Sequence, residues 1–236
     1  MLSDKSNKFI DFETEHIHNS TSEKLLGITI DCGLKFDVHM KILCNKASLK
    51  LHALSRVSQF ISSDKLKIIM KAFILSQFNY CPLVWMFYSR EINIRINRIH
   101  ERALRLAYKD YHSSFHNLLR KDGSVTVHHK NLQLLVIEIY KVINGIAPKI
   151  MGEIIQIKNS VINLRKDTTF VERNISTMTY GEQSISYLAP RIWKLVPKDI
   201  KEIPTLKIFK RKVKSWIPEE CPCRLCRTYI PNLGFL

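Results

Sequence analysis

Glycine and proline are scarce in this sequence, with seven and eight copies respectively among 236 residues. This scarcity excludes collagen-like repeats, linker-rich arrays and loop-heavy β-sandwiches, which need these residues in quantity. Hydrophobic residues make up 45% of the chain and charged residues 25%, which are ordinary values for a globular protein. The composition therefore predicts a folded, mainly helical chain of one good-sized domain or two small ones.

Long apolar runs are also absent. The most apolar stretch, 72–88, is interrupted by Gln77, Asn79 and Pro82, so it falls short of the roughly 20 continuous residues that span a bilayer. The first residues, 1–5, show no apolar run behind a basic start, as a secretory signal would require. We therefore expect no membrane partner and an intracellular location, in the cytoplasm or nucleus.

Disulfide-forming cysteines are not expected. Six cysteines occur, three of them scattered and three crowded near the end of the chain. This is a poor disulfide framework for a chain of this length, and it favours reduced thiols inside the cell.

Acidic residues are few relative to basic ones. The chain has 37 Lys and Arg against 21 Asp and Glu, which gives a formal net charge of +16 and a pI near 9.7. By charge alone, an excess of this size favours either a nucleic acid or an anionic membrane surface as partner. Because much of the excess lies on two predicted helices whose other sides are apolar, we expect a nucleic acid and not a membrane.

The hydrophobic periodicity predicts a mainly α fold: a helical bundle with a few short strands and an irregular C-terminal third. A strand is predicted at 25–30, and helices from Asp37, after 62–64, and over 92–108, 131–144 and 205–216. The apolar stripe of the first helix consists of Met40, Leu43, Ala47, Leu51 and Leu54, and the buried face predicted for the second consists of Leu66, Ile69, Met70, Phe73 and Ile74. Two further short strands are predicted at 168–171 and 185–188. The chain divides into a poorly ordered lead-in (1–22), a strand with a helical domain (23–150), an irregular region (151–204), and a basic helix with a cysteine-rich tail (205–236).

A row of cations follows one side of the predicted helix 92–108. Its members are Arg95, Arg98, Arg102, Arg105 and Lys109. At spacings of three and four residues they share a narrow stripe beside an apolar one. Each such like-charge pair lowers the stability of the helix by roughly 0.2–0.5 kcal/mol. The phosphates of a nucleic acid would offset that repulsion.

The last predicted helix repeats this arrangement. Its cations are Lys207, Lys210, Arg211 and Lys214, opposite an apolar side. The alternative is that both rows are simply solvated helix faces, which is common for lysine-rich helices.

Catalytic motifs are missing from the chain. The sequence has no glycine-rich phosphate loop, and its carboxylates are too dispersed for a two-metal site. His112 and His116 have the spacing of a helical zinc pair but lack the intervening glutamate of a metalloprotease. His128 and His129 are adjacent, so their rings should diverge on a helix. We therefore expect no enzymatic activity from this chain alone.

The sharpest local motif lies in the tail, where Cys221, Cys223 and Cys226 form an incomplete zinc site. A closed site needs four ligands, and a fourth thiol would have to come from Cys32, Cys44, Cys81 or a partner. The sequence favours reduced thiols without a cofactor, with zinc as the alternative.

Several segments together resemble the C-terminal part of reverse transcriptases from non-LTR (LINE-like, jockey-type) retrotransposons. They are KLLGITID (24–31), KAS (46–48), SQFNYCPLVW (76–85), RIHERALR (98–105), VHHKNL (127–132) and CPCRLC (221–226). The likeness runs from about Glu23 to the end of the chain.

This resemblance implies that LGITID closes a polymerase palm and that the following helices form a thumb and a connection region. A thumb packs against the template–primer duplex, in agreement with the basic rows. The family's aromatic-x-Asp-Asp turn has no counterpart here, so no catalytic residue and no Mg²⁺ site are carried over; Mg²⁺ belongs only to a full-length polymerase.

The sequence therefore predicts a catalytically inactive fragment that binds an RNA or DNA duplex through its phosphates. The alternative is a helical protein-interaction module, or a relic without activity, that self-associates through exposed apolar surface.

Overall fold

The computed structural model confirms a mainly α fold with a few short strands. It describes residues 9–12, 15–18, 20–157, 170–171, 175, 177, 180–218, 221, 223 and 225. Two antiparallel hairpins come first: β1 (Phe9–Phe12) with β2 (Glu15–His18), and β3 (Ser22–Leu25) with β4 (Ile28–Asp31). The first hairpin lies inside the 1–22 segment, where the sequence pattern indicated no regular element.

Ten α-helices follow in the described part of the chain. They are α1 (Asp37–Val57), α2 (Ser63–Ile69), α3 (Pro82–Trp85), α4 (Arg90–Tyr108), α5 (Phe115–Asp122), α6 (Val127–Ile143), α7 (Lys149–Ile154), α8 (Ile185–Leu195), α9 (Lys198–Lys201) and α10 (Leu206–Val213). A π-helical turn (Met70–Ile74) and a 3₁₀ turn (Leu75–Phe78) continue α2. None of the described helices combines the length and the apolar character that crossing a membrane requires.

The turn between β4 and α1 is held by one carboxylate. Asp31 accepts hydrogen bonds from the backbone N–H groups of Gly33, Lys35 and Phe36 at 3.1, 3.1 and 2.6 Å. Phe36 lies in the left-handed region, with φ of 57°, which costs a residue with a Cβ some conformational energy. The three bonds to Asp31 offset that cost and direct the chain into α1.

A first core forms between α1, α2 and α4. The predicted apolar stripe of α1 is confirmed, with Met40, Ala47, Leu51 and Leu54 buried and Leu43 half-buried. The stripe of α4 is buried against it through Ile92, Ile96, Ile99 and Ala103.

A second core surrounds α6. Buried residues of α6 follow one another in runs of three, 131–133 and 135–137. Successive helical residues point about 100° apart, so such runs bury more than half of the helix circumference. Val127 belongs to the first core, whereas Leu132 and the later residues pack against α8 and α10. α6 thus lies between the two cores.

The C-terminal end of α10 is bonded directly to α6. The buried Gln133 amide donates to the carbonyl oxygens of Lys214 and Trp216 at 3.1 and 2.8 Å. The last carbonyls of a helix have no partner within the helix, and Gln133 supplies one. On the same interface, the Tyr140 ring stacks on Phe209 with centroids 4.0 Å apart.

Three local expectations are wrong. The single strand predicted at 25–30 is instead part of the β3–β4 hairpin, because Leu26 and Gly27 adopt positive φ and reverse the chain between the two strands. Residues 185–188 begin α8 rather than a strand, because Ser184 accepts a hydrogen bond from the backbone N–H of Tyr187 and caps the helix. Phe73, expected on the buried face of the second helix, is 57% exposed while Ile74 is buried. The wider π turn rotates Phe73 away from the core.

The C-terminal third contains more regular structure than the sequence indicated. Helices α8 and α9 lie in the 151–204 region. Of the predicted strand at 168–171, Phe170 forms a single antiparallel bridge with Ile157, and residues 168–169 lie outside the described residues.

The bond between Gln133 and α10 predicts a measurable contribution to stability. Replacing Gln133 with leucine should lower the free energy of unfolding by about 2 kcal/mol, since it leaves two shielded carbonyls without a donor. Urea unfolding followed by circular dichroism measures this loss. Gln59→Leu, the same substitution at an exposed position, is the control. Equal midpoints for Q133L and the unaltered protein would contradict this role.

Candidate functional site

The cationic row of α4 is exposed only in part. Arg98, Arg102 and Lys109 are exposed, whereas Arg95 and Arg105 are half-buried. The half-buried pair has partners: an Arg95 guanidinium nitrogen lies 2.6 Å from Asn45 Oδ1, and one of Arg105 lies 2.7 Å from Glu101 Oε1. The structure therefore leaves three of the five predicted cations directed at solvent.

The cationic row of α10 is exposed in full. Lys207, Lys210, Arg211 and Lys214 are all exposed, and none of them forms an ion pair with the described part of the chain. The opposite side of α10 is buried through Phe209 and Val213. The second core thus holds the helix in an orientation that presents its cations outward.

Lys130 of α6 adds positive charge close to α10, and sequence reasoning missed it. Its ammonium nitrogen donates to Asn79 Oδ1 at 2.6 Å. Partial burial and the neighbouring Lys214 lower the pKa of Lys130. Lys130 precedes Lys214 by 84 positions, so no local pattern could have placed them together.

A polar cluster around the enclosed carboxylate of Asp122 connects the π turn of 70–74 with α4 and α5. Asp122 lies 3.2 Å from Lys71 Nζ and accepts a hydrogen bond from the Tyr108 hydroxyl at 3.0 Å. Burial and this bond to Asp122 raise the pKa of Tyr108 to about 12. These contacts join three elements of the first core.

His100 lies in the same region with only 2% of its surface exposed, and its ring edge contacts Phe115 at a centroid distance of 5.6 Å. Burial lowers the pKa of His100 to about 4; Asp122 opposes this shift, and Lys130 and Lys71 add to it. The imidazole is neutral near pH 7 and enclosed, which excludes direct contact with a substrate. We interpret His100 as a structural residue.

His112 and His116 are both exposed, and the structure does not join them into a metal site. His116 Nε2 lies 3.1 Å from a guanidinium nitrogen of Arg120, a cation that disfavours a metal ion at that nitrogen. Among the described residues, no group of three potential metal ligands includes either histidine.

Two of the three tail cysteines meet a histidine of α6. Cys223 Sγ lies 3.3 Å from His128 Nε2, and Cys221 Sγ lies within 4.8 Å of both ligand atoms. His128 and Cys223 are buried, and Cys221 is half-buried. Cys226, the third predicted ligand, lies outside the described residues.

The distant cysteines do not complete this group. Cys32 and Cys81 are exposed, and Cys44 is buried in the first core. Burial raises the pKa of Cys44 to about 11, against an opposing effect of Arg95. The structure brings His128 to the tail instead, a residue that lies 95 positions before Cys223.

Comparison with known proteins gives no match to any family model, any curated protein or any solved structure. The functional assignment therefore depends on the geometry of these sites and on the sequence motifs. Of these sites, the exposed cations of α4 and α10 and the His128 group are the ones whose chemistry points to a ligand.

The buried His100 predicts a pH-dependent stability. His100 takes up a proton near pH 6.5 in the unfolded chain but only near pH 4 in the folded chain. The free energy of unfolding that depends on neutral His100 is therefore complete above pH 6.5 and decreases as the pH falls toward 4. When the pH is lowered from 7 to 4.5, the free energy of unfolding should decrease by about 2 kcal/mol less in the His100→Leu variant than in the unaltered protein. Urea unfolding at the two pH values measures the difference.

The exposed His112→Leu is the matched control, and it should keep the pH dependence of the unaltered protein. If H100L and H112L lose equal amounts of unfolding free energy on acidification, His100 is not responsible for the acid sensitivity.

Proposed function

We propose that this chain binds the phosphate backbone of an RNA or DNA duplex without sequence preference and without catalysis. The observation that carries the proposal is the α10 face: four exposed cations, with no ion pair to the described chain, on a helix whose other side is buried. Cations without local partners are available to displace counterions from phosphates. The surplus of 16 positive charges supports the same conclusion.

The exposed part of the α4 row supplies a second set of contacts. Arg98 and Arg102 are one helical turn apart, and Lys109 lies at the left-handed end of the helix. Contacts to phosphates determine position on a duplex but carry no direct sequence information. The half-buried Arg95 and Arg105 orient and support this face rather than bind directly.

The resemblance to the C-terminal part of non-LTR reverse transcriptases supports the same assignment. A thumb-like segment would hold a template–primer duplex, and the missing Asp-Asp turn accounts for a binding function without polymerisation. We therefore propose an origin in a retrotransposon polymerase, as an inactive fragment.

A second candidate is protein interaction, including self-association. Phe60, Ile68 and Phe73 are large apolar side chains that the first core leaves exposed. Sedimentation at low salt in the absence of nucleic acid tests this candidate: a monomer contradicts it, and concentration-dependent association supports it.

Charge reversal tests the nucleic-acid proposal. Replacing Lys207, Lys210 and Arg211 with glutamate should weaken binding to a labelled duplex and reduce the slope of log affinity against log salt by about 3, because about three phosphate contacts are lost. Fluorescence anisotropy over a salt series measures both quantities. A second variant replaces Arg98, Arg102 and Lys109 with glutamate, and we expect a reduction of the same order.

The control carries the same change in net charge at unrelated positions. Lys24, Lys65 and Lys149 are exposed and have no ion pair with the described chain. Their replacement by glutamate therefore reproduces the change in net charge without altering either cationic row. If the control and the α4 and α10 variants weaken binding equally, net charge accounts for the affinity and the proposed faces are wrong. Unchanged affinity in both face variants would also contradict the proposal.

A further inference from the structure

Three potential metal ligands converge where the tail meets the start of α6. His128 lies in the first turn of α6, which Thr126 caps by accepting a hydrogen bond from the backbone N–H of His129. Cys221 and Cys223 come from the tail, and the ligand atoms of all three residues lie within 4.8 Å of one another. Cys221 and Cys223 belong to the local cysteine motif of the tail, whereas their contact with His128 depends on tertiary packing.

The spacing of these atoms fits a tetrahedral zinc centre. Bonds of about 2.3 Å to sulfur and about 2.0 Å to nitrogen place tetrahedral ligand atoms roughly 3.5–3.8 Å apart. The 3.3 Å between Cys223 Sγ and His128 Nε2 and the 4.8 Å limit for the group bracket these values. Small side-chain adjustments therefore suffice to bind an ion.

The donor set selects the kind of metal. Two thiolates and an imidazole favour a borderline-soft ion such as Zn²⁺ over Mg²⁺ or Ca²⁺, which prefer oxygen ligands. His128 and Cys223 are buried, and the cavity that they line also contains the apolar Met86 and Leu188 and the polar Glu182 and Gln183. His128, Cys221 and Cys223 supply three of the four ligands of a tetrahedral zinc ion, which leaves its fourth position to a water molecule or a further thiol.

The backbone around the site is held in place by independent contacts. Gln133, five residues after His128 on α6, bonds the carbonyls of Lys214 and Trp216. The chain therefore leaves α10 next to α6, and four residues separate Trp216 from Cys221. Because these contacts already order the chain next to the site, metal binding loses less conformational entropy, which raises the affinity for the ion.

We propose that His128, Cys221 and Cys223 bind a Zn²⁺ ion that fastens the C-terminal tail to the start of α6. Binding releases the protons of the two thiols, and the His128 imidazole coordinates through Nε2. The site is independent of the nucleic-acid faces, since none of its ligands belongs to either cationic row.

Zinc affinity of the full chain tests the proposal. The protein is purified under reducing conditions, stripped with a chelator and titrated with Zn²⁺ in competition with a chromophoric chelator. We expect one ion per chain, and a loss of affinity of at least about 100-fold in His128→Asn, Cys221→Ser and Cys223→Ser, since even indirect supports of a metal cost 10–100-fold. The matched controls are His129→Asn and Cys32→Ser, which should keep the affinity.

Cys226→Ser separates the proposal from a site confined to the tail. If C226S loses zinc while H128N keeps it, the tail cysteines alone hold the ion and the proposal is overturned. Failure of the unaltered chain to bind one ion, or equal losses in H128N and H129N, overturns it as well.

A measurement on the unaltered protein covers the case in which H128N does not fold. The chain is loaded with Co²⁺ and examined by proton NMR, in which the exchangeable proton of a coordinated imidazole gives a strongly shifted signal. Observation of this signal supports histidine ligation, and its absence in a protein that binds one Co²⁺ overturns the proposal.

Discussion

The burial of α6 is the constraint on which the rest of the structure depends. Ten of its 17 residues are buried, and they face two cores rather than one. Polar groups of a helix enclosed on several sides lose contact with water, which costs free energy unless the protein bonds them. Gln133 bonds the end of α10, and the Tyr140 hydroxyl donates to the carbonyl of Ile203 at 2.8 Å. The buried amide of Asn131 has no hydrogen-bond partner among the described residues.

Both candidate sites follow from this arrangement. Packing of Phe209 and Val213 against the second core leaves the cations of α10 exposed to solvent on the opposite side of the helix. The same contact ends α10 beside α6 and brings the following cysteines to His128. One helix interface thus positions both proposed sites, the outward-facing cations of α10 and the cluster of potential metal ligands around His128.

Hydrophobic periodicity predicted correctly the helices that bury only one face. The stripes of α1 and α4 recur at three and four residues, and the structure buries them as expected. Prediction was wrong where a short apolar segment suits two structures, as at 185–188, and where a π turn shifts the register, as at Phe73. α5 was missed, although Ser114 and Gly123 provide ordinary capping signals at its two ends.

The sequence alone determined the helical class, the net charge and the alignment of cations along two helices, because these depend on composition and on spacings within one helical segment. Only the tertiary structure decided which cations remain free: Arg95 and Arg105 acquire partners, whereas the α10 cations form no ion pair with the described chain. It also decided that His128 lies beside Cys221 and Cys223. Contacts between residues nearly a hundred positions apart depend on how whole helices pack, and no local pattern encodes that packing.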